Sequence, residues 1–146
     1  VVQRVGRCSV TVEDEIVGSI EGGLLVYLGV EEGDESKDLA YLSEKISGLR
    51  IFQDDEGKMN LSVQDISGSI LVVSQFTLCA DTRKGKRPSY NSAALPAVAE
   101  VFYEQMISDF KNRGIETSSG LFGASMEVSY INKGPVTILL DSKKRF

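Results

Sequence analysis

The run Ile70-Leu71-Val72-Val73 constrains the fold of this chain more than any other stretch. Four consecutive aliphatic residues, rich in β-branched side chains, predict a strand buried on both faces. The run meets no turn signal. It passes into Ser74-Gln75-Phe76-Thr77-Leu78, a polar and aromatic mixture, and then into a glycine- and lysine-rich loop from Thr82 to Ser92. A buried strand that carries hydroxyls and an amide to the mouth of a loop is one way to hold reactive groups on a rigid support. A strand end with ordinary cross-strand Ser and Thr contacts is the plainer reading of the same residues.

A second stretch sits near the C-terminus. Asn132-Lys133-Gly134-Pro135-Val136-Thr137 lies between two apolar, strand-like runs. Proline cannot donate to a sheet ladder, so it breaks or borders the strand. The plainer reading here is a hairpin turn. A Gly-Pro pair between strands is also a place to look for a cis peptide, but only about 5–6% of X–Pro bonds in folded proteins are cis, so the sequence does not establish one.

At 146 residues the chain fits one domain, spanning 1–146, with a real core. No apolar run approaches the roughly 20 residues of a membrane span. No charged-then-apolar leader opens the chain, and a start at Val1 rather than Met is expected if the numbering omits a short natural beginning. The formal charge of −5 argues against a protein that coats nucleic acid nonspecifically. It leaves room for a local basic site. Arg83, Lys84, Lys86 and Arg87 crowd one loop, and Lys143, Lys144 and Arg145 crowd the tail. Charge runs of this kind are usually solvated faces. Cys8 and Cys79 are far apart and form no C-x-x-C, which suggests a reducing cytoplasm. The chain contains no histidine, so neither Ser-His-Asp nor Cys-His catalysis can occur within it, and a histidine-ligated zinc is excluded.

Along the chain, alternation predicts a strand over 1–12, a hairpin tip at Glu13-Asp14-Glu15 and a return strand from Ile16 to Ile20. Gly22-Gly23 turns into a third, apolar strand from Leu24 to Val30. Gly33-Asp34 stops it, and a helix capped by Asp34 or Ser36 follows, with Leu39, Leu42, Ile46 and Leu49 on one face. Short extended pieces at 50–52 and 61–63 flank an acidic turn, Asp54 to Gly57. After the basic loop, Pro96 suits the first turn of a second helix, with Val98, Val101, Phe102, Ile107 and Phe110 as its apolar face and Gly114 at its end. Met126, Val128 and Tyr130 alternate as a strand, and Val136 to Leu140 form the last. These elements make an α+β domain with a mainly antiparallel, curved, barrel-like sheet and two main helices.

Ser74-Gln75-Phe76-Thr77-Leu78 together with Asn132-Lys133-Gly134-Pro135-Val136-Thr137 resembles the D-aminoacyl-tRNA deacylase family, of the D-tyrosyl-tRNA deacylase type. The opening Val1-Val2-Gln3-Arg4-Val5, the Lys86-Arg87-Pro88-Ser89 loop and Phe122-Gly123-Ala124-Ser125-Met126 resemble it in order and spacing, so the likeness covers essentially the whole chain. Lys133 departs from it, since many members carry an acidic residue there. That bears on tRNA affinity or the local turn and leaves Gly134-Pro135 intact.

The resemblance implies a cytoplasmic homodimer, away from membranes, that hydrolyses the ester joining a D-amino acid to tRNA, or glycine mischarged on tRNA-Ala. It implies no cofactor and no metal. Each site would be built around Ser74, Gln75, Phe76, Thr77 and Leu78, with the partner's Gly134-Pro135 inserted in cis to judge chirality. Arg4 would help hold that segment, with Asn132 and Thr137 in support, and Lys84, Lys86 and Arg87 would touch tRNA phosphates.

An aminoacyl ester is already activated, so its hydrolysis needs mainly a positioned nucleophile and a stabilised oxyanion. Thr77 as nucleophile would need a base, and neither lysine nor a carboxylate adjoins the motif. Backbone N–H groups around Phe76 and Thr77 are the preferred oxyanion site. Water would attack, helped, as the resemblance implies, by the adjacent ribose hydroxyl. Carbonyl oxygens of a cis Gly134-Pro135 would meet an L side chain where a D-residue or glycine carries only hydrogen. The alternatives are an esterase with Thr77 as nucleophile, and a tRNA- or DNA-binding module without catalysis.

Overall fold

The computed structural model describes residues 1–146. In chain order its elements are β1 (Val2–Val12), β2 (Glu15–Ile20), β3 (Gly23–Leu28), α1 (Ser36–Gly48), β4 (Phe52–Gln53), β5 (Met59–Leu61), β6 (Ser69–Ser74), a short 3-10 turn (Phe76–Cys79), α2 (Pro96–Asn112), β7 (Glu116–Ser119) and β8 (Glu127–Ile138). The main sheet runs β2-β1-β3-β6-β7, with β8 also on β1. β1 is antiparallel to β2, β3 and β8, whereas β3-β6-β7 run parallel. The small β4–β5 pair is a separate antiparallel ribbon.

β1 is paired along both edges. β8 follows one edge from Val2 to Thr11. On the other edge, Val2 to Val5 pair with β3 and Cys8 to Val12 pair with β2. The sheet curls until its far strands nearly meet. Ser19 N donates to Ser118 Oγ at 3.1 Å, joining β2 to β7. Gly18 permits this approach, because a Cβ there would lie 2.2 Å from the Ser119 carbonyl oxygen. The result is a mixed sheet, nearly closed into a barrel.

The aliphatic run of β6 explains why the sheet must be covered twice. Ile70 and Val72 pack into a core shared with both helices, with Val2, Leu24, Val26, Tyr103, Met106 and Phe110. Leu71 and Val73 point the other way, into a smaller core inside the curl with Val5, Cys8, Val10, Ile20 and Leu25. All four are at most 1% exposed. Each such side chain contributes about 1.5–3 kcal/mol by leaving water. Burial also pushes the Cys8 thiol up to about 11.

Both expected helices are present, with two corrections. The cap of α1 is Glu35 rather than Asp34 or Ser36. Glu35 and Asp38 form a reciprocal capping box, and Glu35 N donates to Asp38 Oδ2 at 2.8 Å. Asp34 instead accepts from Glu31 N at 2.8 Å, closing the preceding turn. In α2 the buried face is Tyr103, Met106, Ile107 and Phe110. Val98 and Val101 are 45% and 54% exposed. At 100° per residue, they fall on a different stripe from Tyr103 and Phe110. Pro96 does open α2, and Gly114, at φ 79, closes it with Ile115 N donating to Phe110 O and Gly114 N to Lys111 O.

The strands differ from expectation in extent. β3 stops at Leu28, and β4 occupies 52–53 rather than 50–52. The largest difference is β8. It is one twelve-residue strand that carries Gly134-Pro135 inside it, so the pair is not a hairpin turn between two strands. Both halves keep the same neighbour, β1, and the same direction.

Candidate functional site

β6 ends at Ser74, level with Leu28 of β3. Gln75 N donates to Leu28 O at 2.8 Å, which ties the residue after the strand to the neighbouring strand. The chain then winds into the 3-10 turn, where Leu78 N donates to Gln75 O and Ala80 N to Thr77 O, both at 3.2 Å. The first N–H groups of this turn, those of Phe76 and Thr77, stand ahead of any carbonyl the turn itself can offer. Cys79 anchors the far end. Its buried thiol donates to Val30 O at 3.6 Å, and Ser92 Oγ donates to its carbonyl at 2.7 Å. Burial pushes the Cys79 thiol up, and the nearby carboxylates of Glu31 and Asp34 push it further, so this sulfur stays protonated.

Within the turn, Gln75 Nε2 donates to Thr77 Oγ1. That amide cannot take a proton from the hydroxyl. Ser74 and Thr77 are half-buried, while Phe76 and Leu78 are 56% and 44% exposed. The Phe76 ring meets Tyr90 edge-on, with centroids 5.2 Å apart. Behind the turn, a cavity of about 310 Å³ lies between sheet and helices, bordered by Leu78, Cys79, Leu28, Val30 and Phe102.

The Gly134-Pro135 peptide is cis and sits in a wide bulge of β8. Between the Gln3–Thr137 and Val5–Asn132 pairs, Arg4 alone faces Lys133, Gly134, Pro135 and Val136. Arg4 fills the space under this bulge. Its Nε donates to Lys133 O at 3.1 Å and its Nη1 to Ile51 O at 2.6 Å. Asn132 and Thr137 close the two ends, and both reach the Gln3 amide. In the sequence, Gln3 belongs to the opening run Val1 to Val5 and carries no role of its own. The signal that marks it is the adjacent polar pair Gln3-Arg4 within an apolar strand, where strict alternation would allow one.

One chain does not bring these two motifs together. β8, β1, β3 and β6 are successive neighbours, and Arg4, Leu24 and Ile70 lie in one row across them. The bulge is therefore three strands from β6, and Ser74 is a further four residues along. The separation is roughly 20 Å along the sheet, from spacings of about 4.8 Å between strands and 3.3 Å per residue.

The basic residues divide. Arg83 is committed to Asp81, with Nε and Nη2 at 2.9 and 2.6 Å from its two oxygens, and holds that carboxyl well below the usual range. Lys84, Lys86 and Arg87 are exposed and outside every ion pair. The tail is a clamp rather than a free charged face. Lys143 pairs with Glu31 and Asp34, and Arg145 with Glu31 and Asp141. Lys144 lies over the Tyr41 ring, 5.4 Å from its centroid. No cluster of His, Cys, Asp or Glu is arranged to hold a metal ion.

What the turn can offer chemically is backbone donors, an amide and two hydroxyls on a support fixed to β3 and β6. No ionisable side chain lies between Ser74 and Leu78.

A family model described as D-Tyr-tRNA(Tyr) deacylase matches residues 1–141. A relative from Koribacter versatilis, named D-aminoacyl-tRNA deacylase, is 56% identical over 146 residues, which is 100% of this chain and 98% of the relative. One of the same name from Thermosipho africanus is 55% identical over the same span, with the same shares covered. Among solved structures, one titled c-Myc DNA Unwinding Element Binding Protein superposes with a TM-score of 0.89 at 41% identity, covering 94% of this chain and 93% of that one. Another, described as a probable eukaryotic D-amino acid tRNA deacylase, has a TM-score of 0.76 at 17% identity, covering 92% and 93%, and speaks for the fold.

The bulge generates a stability prediction. Gly134 has φ +120, and a Cβ on it would lie 2.6 Å from Arg4 Nη2 and 2.9 Å from Val136 Cγ2. Gly134→Ala is expected to displace Arg4 from Lys133 O and to destabilise the fold by about 1–3 kcal/mol. Chemical denaturation checks this; an unchanged midpoint would mean that the bulge relaxes freely.

Proposed function

The chain belongs to the D-Tyr-tRNA(Tyr) deacylase family, and we propose that its active site is the Ser74–Leu78 turn of one protomer completed by the Gly134-Pro135 bulge of a second. The family's reaction makes it a hydrolase that removes D-amino acids from tRNA. The finer reading has the aminoacyl ester bound at the turn, its carbonyl oxygen facing the N–H groups of Phe76 and Thr77. Donors already fixed in place need not reorganise as negative charge develops, which is where such a site gains most. Water is the nucleophile, and the neighbouring ribose hydroxyl of the tRNA terminus assists it. The carbonyl oxygens of the bulge stand where an L side chain would project, so D-aminoacyl esters, and glycine mischarged on tRNA-Ala, enter while L-esters do not. The enzyme works in the cytoplasm without a cofactor. Lys84, Lys86 and Arg87 take up tRNA phosphates, orienting the substrate without reading its bases.

The observation that carries this reading is the turn itself: rigidly tied donors with no titratable group among them. No side chain of residues 74–78 can serve as an acid or base, whereas the N–H groups that lead the turn suit oxyanion stabilisation. The same observation weighs against a Thr77 nucleophile, whose hydroxyl has an amide for a neighbour. For the dimer, the support is the separation of the two motifs within a chain, together with the apolar residues left uncovered near the turn. Phe76 and Leu78 are exposed, and so are Leu95 at the cap of α2 and Val98 and Val101 within it. Large apolar side chains left in water in this number suit an association face.

Three measurements test the proposal. Deacylation of D-Tyr-tRNA and L-Tyr-tRNA by wild type and Thr77→Ala should show the same D-over-L preference, with the variant's D-rate within about tenfold, well short of the 10²–10⁴-fold typical of a lost acid or base. A collapse of D-activity in Thr77→Ala would make Thr77 the nucleophile. Sedimentation should give a dimer at assay concentrations, and an active monomer would break the shared-site reading. Replacing Lys84, Lys86 and Arg87 together by Ala should weaken tRNA binding and lower the salt slope of log K by about 2, at roughly 0.7–0.9 per phosphate contact. An unchanged slope would leave the loop a solvated face.

A further inference from the structure

The least obvious residue at the bulge is Gln3, and its chemistry follows from counting donors and acceptors. One amide atom of Asn132 meets the Gln3 amide at 3.0 Å and Thr137 Oγ1 at 3.3 Å. Thr137 Oγ1 is also in hydrogen-bond contact with the same Gln3 atom. The other amide atom of Asn132 lies 3.3 Å from Val136 N and 3.1 Å from the Arg4 and Val136 carbonyl oxygens. As an oxygen it accepts from Val136 N–H, and as an NH2 group it donates to the two carbonyls. A primary amide offers both a donor and an acceptor, so Gln3 supplies the complementary atom to Asn132 in either setting.

Gln3 therefore joins the two ends of the bulge across its open side. Asn132 precedes Lys133 and Thr137 follows Val136, so one side chain on β1 fixes the span over which the Gly134-Pro135 segment projects. Arg4 supports the segment from beneath, through Lys133 O. The two residues are neighbours in sequence and divide the work, one setting the width of the bulge and the other its floor.

We propose that Gln3 is a positioning residue for stereochemical selection: its amide hydrogen-bonds to Asn132 and Thr137, and so holds the backbone carbonyls of the bulge where they discriminate D- from L-aminoacyl esters. This rests on the reading of the bulge given under Proposed function. Gln3 touches no reacting atom in that reading, so its loss should alter discrimination more than the rate with the preferred substrate.

The test uses Gln3→Met, which keeps the length of the side chain and removes its hydrogen bonds, and Gln3→Leu, which removes them with a branched apolar side chain. Each protein is assayed as the full chain on D-Tyr-tRNA and L-Tyr-tRNA, and its thermal midpoint is measured alongside. The expected result is a D-over-L ratio of kcat/KM lowered about tenfold in both variants, the size of one net hydrogen bond, with folding retained. A purely structural role would lower activity on both substrates equally and leave the ratio alone. If Gln3→Met and Gln3→Leu stay within twofold of the wild-type ratio, the proposal is overturned. Should Gln3→Met fail to fold, Thr137→Val removes one partner of the same amide and carries the same expectation, an unchanged ratio overturning it. A wild type with no D-over-L preference would instead remove the reading of the bulge itself, which separates the two failures.

Discussion

The structure depends on β1 being paired along both of its edges. A strand with two partners has its backbone donors and acceptors satisfied on each side, and here the partners come from distant parts of the chain. One edge holds the early hairpin and, through β3, the parallel strands that lead to the Ser74–Leu78 turn. The other edge holds β8. Both motifs are therefore fixed relative to one strand, and their separation within a protomer is a consequence of the sheet rather than of any loop. The bulge exploits the same arrangement. Because β8 pairs with β1 above and below it, four residues can leave the ladder, and the pairing resumes beyond them in a shifted register.

Much of the fold was legible in the sequence where one local rule governed. The run at Ile70 to Val73 required cover on two faces, and the two cores supply it. Pro96 and Gly114 bounded α2 because their backbone preferences act locally, whatever packs around them. The misreadings arose where tertiary contacts chose between local options. Three acceptors, Asp34, Glu35 and Ser36, competed to cap α1, and the reciprocal bond with Asp38 decided for Glu35. Val98 and Val101 looked like core because they are apolar, although their angular position on the helix sets them apart from Tyr103 and Phe110. Gly134-Pro135 looked like a break between strands because proline cannot join a ladder. Nothing local says that β1 continues past it on the same side.

The candidate site shows the same division. The motif at 74–78 could be singled out because polar residues follow directly on a buried run. That it coils into a turn, with N–H groups leading it, comes from the tie between Gln75 and Leu28 and from the anchoring of Cys79, both long-range contacts. Likewise, the basic tail read as a solvated face. Its partners Glu31 and Asp34 lie more than a hundred residues away, and no periodicity connects them. The basic loop read the same way, and there only Arg83 proved to be engaged.

The pairing of β1 with β8 also sets an order of events during synthesis. β1 leaves the ribosome before the other strands and β8 after them, so the hairpin with β2 and the contact with β3 can form before the second edge of β1 is closed. Contacts that span nearly the whole chain carry the largest loop-closure cost and form slowly. Until then, β1 presents an open edge of unpaired backbone groups, the kind of surface on which another chain can add a strand. The bulge, its Arg4 floor and the Gln3 span come into being in that same final step. A nascent or truncated chain can thus own a complete Ser74–Leu78 turn and still lack any means of judging what enters it.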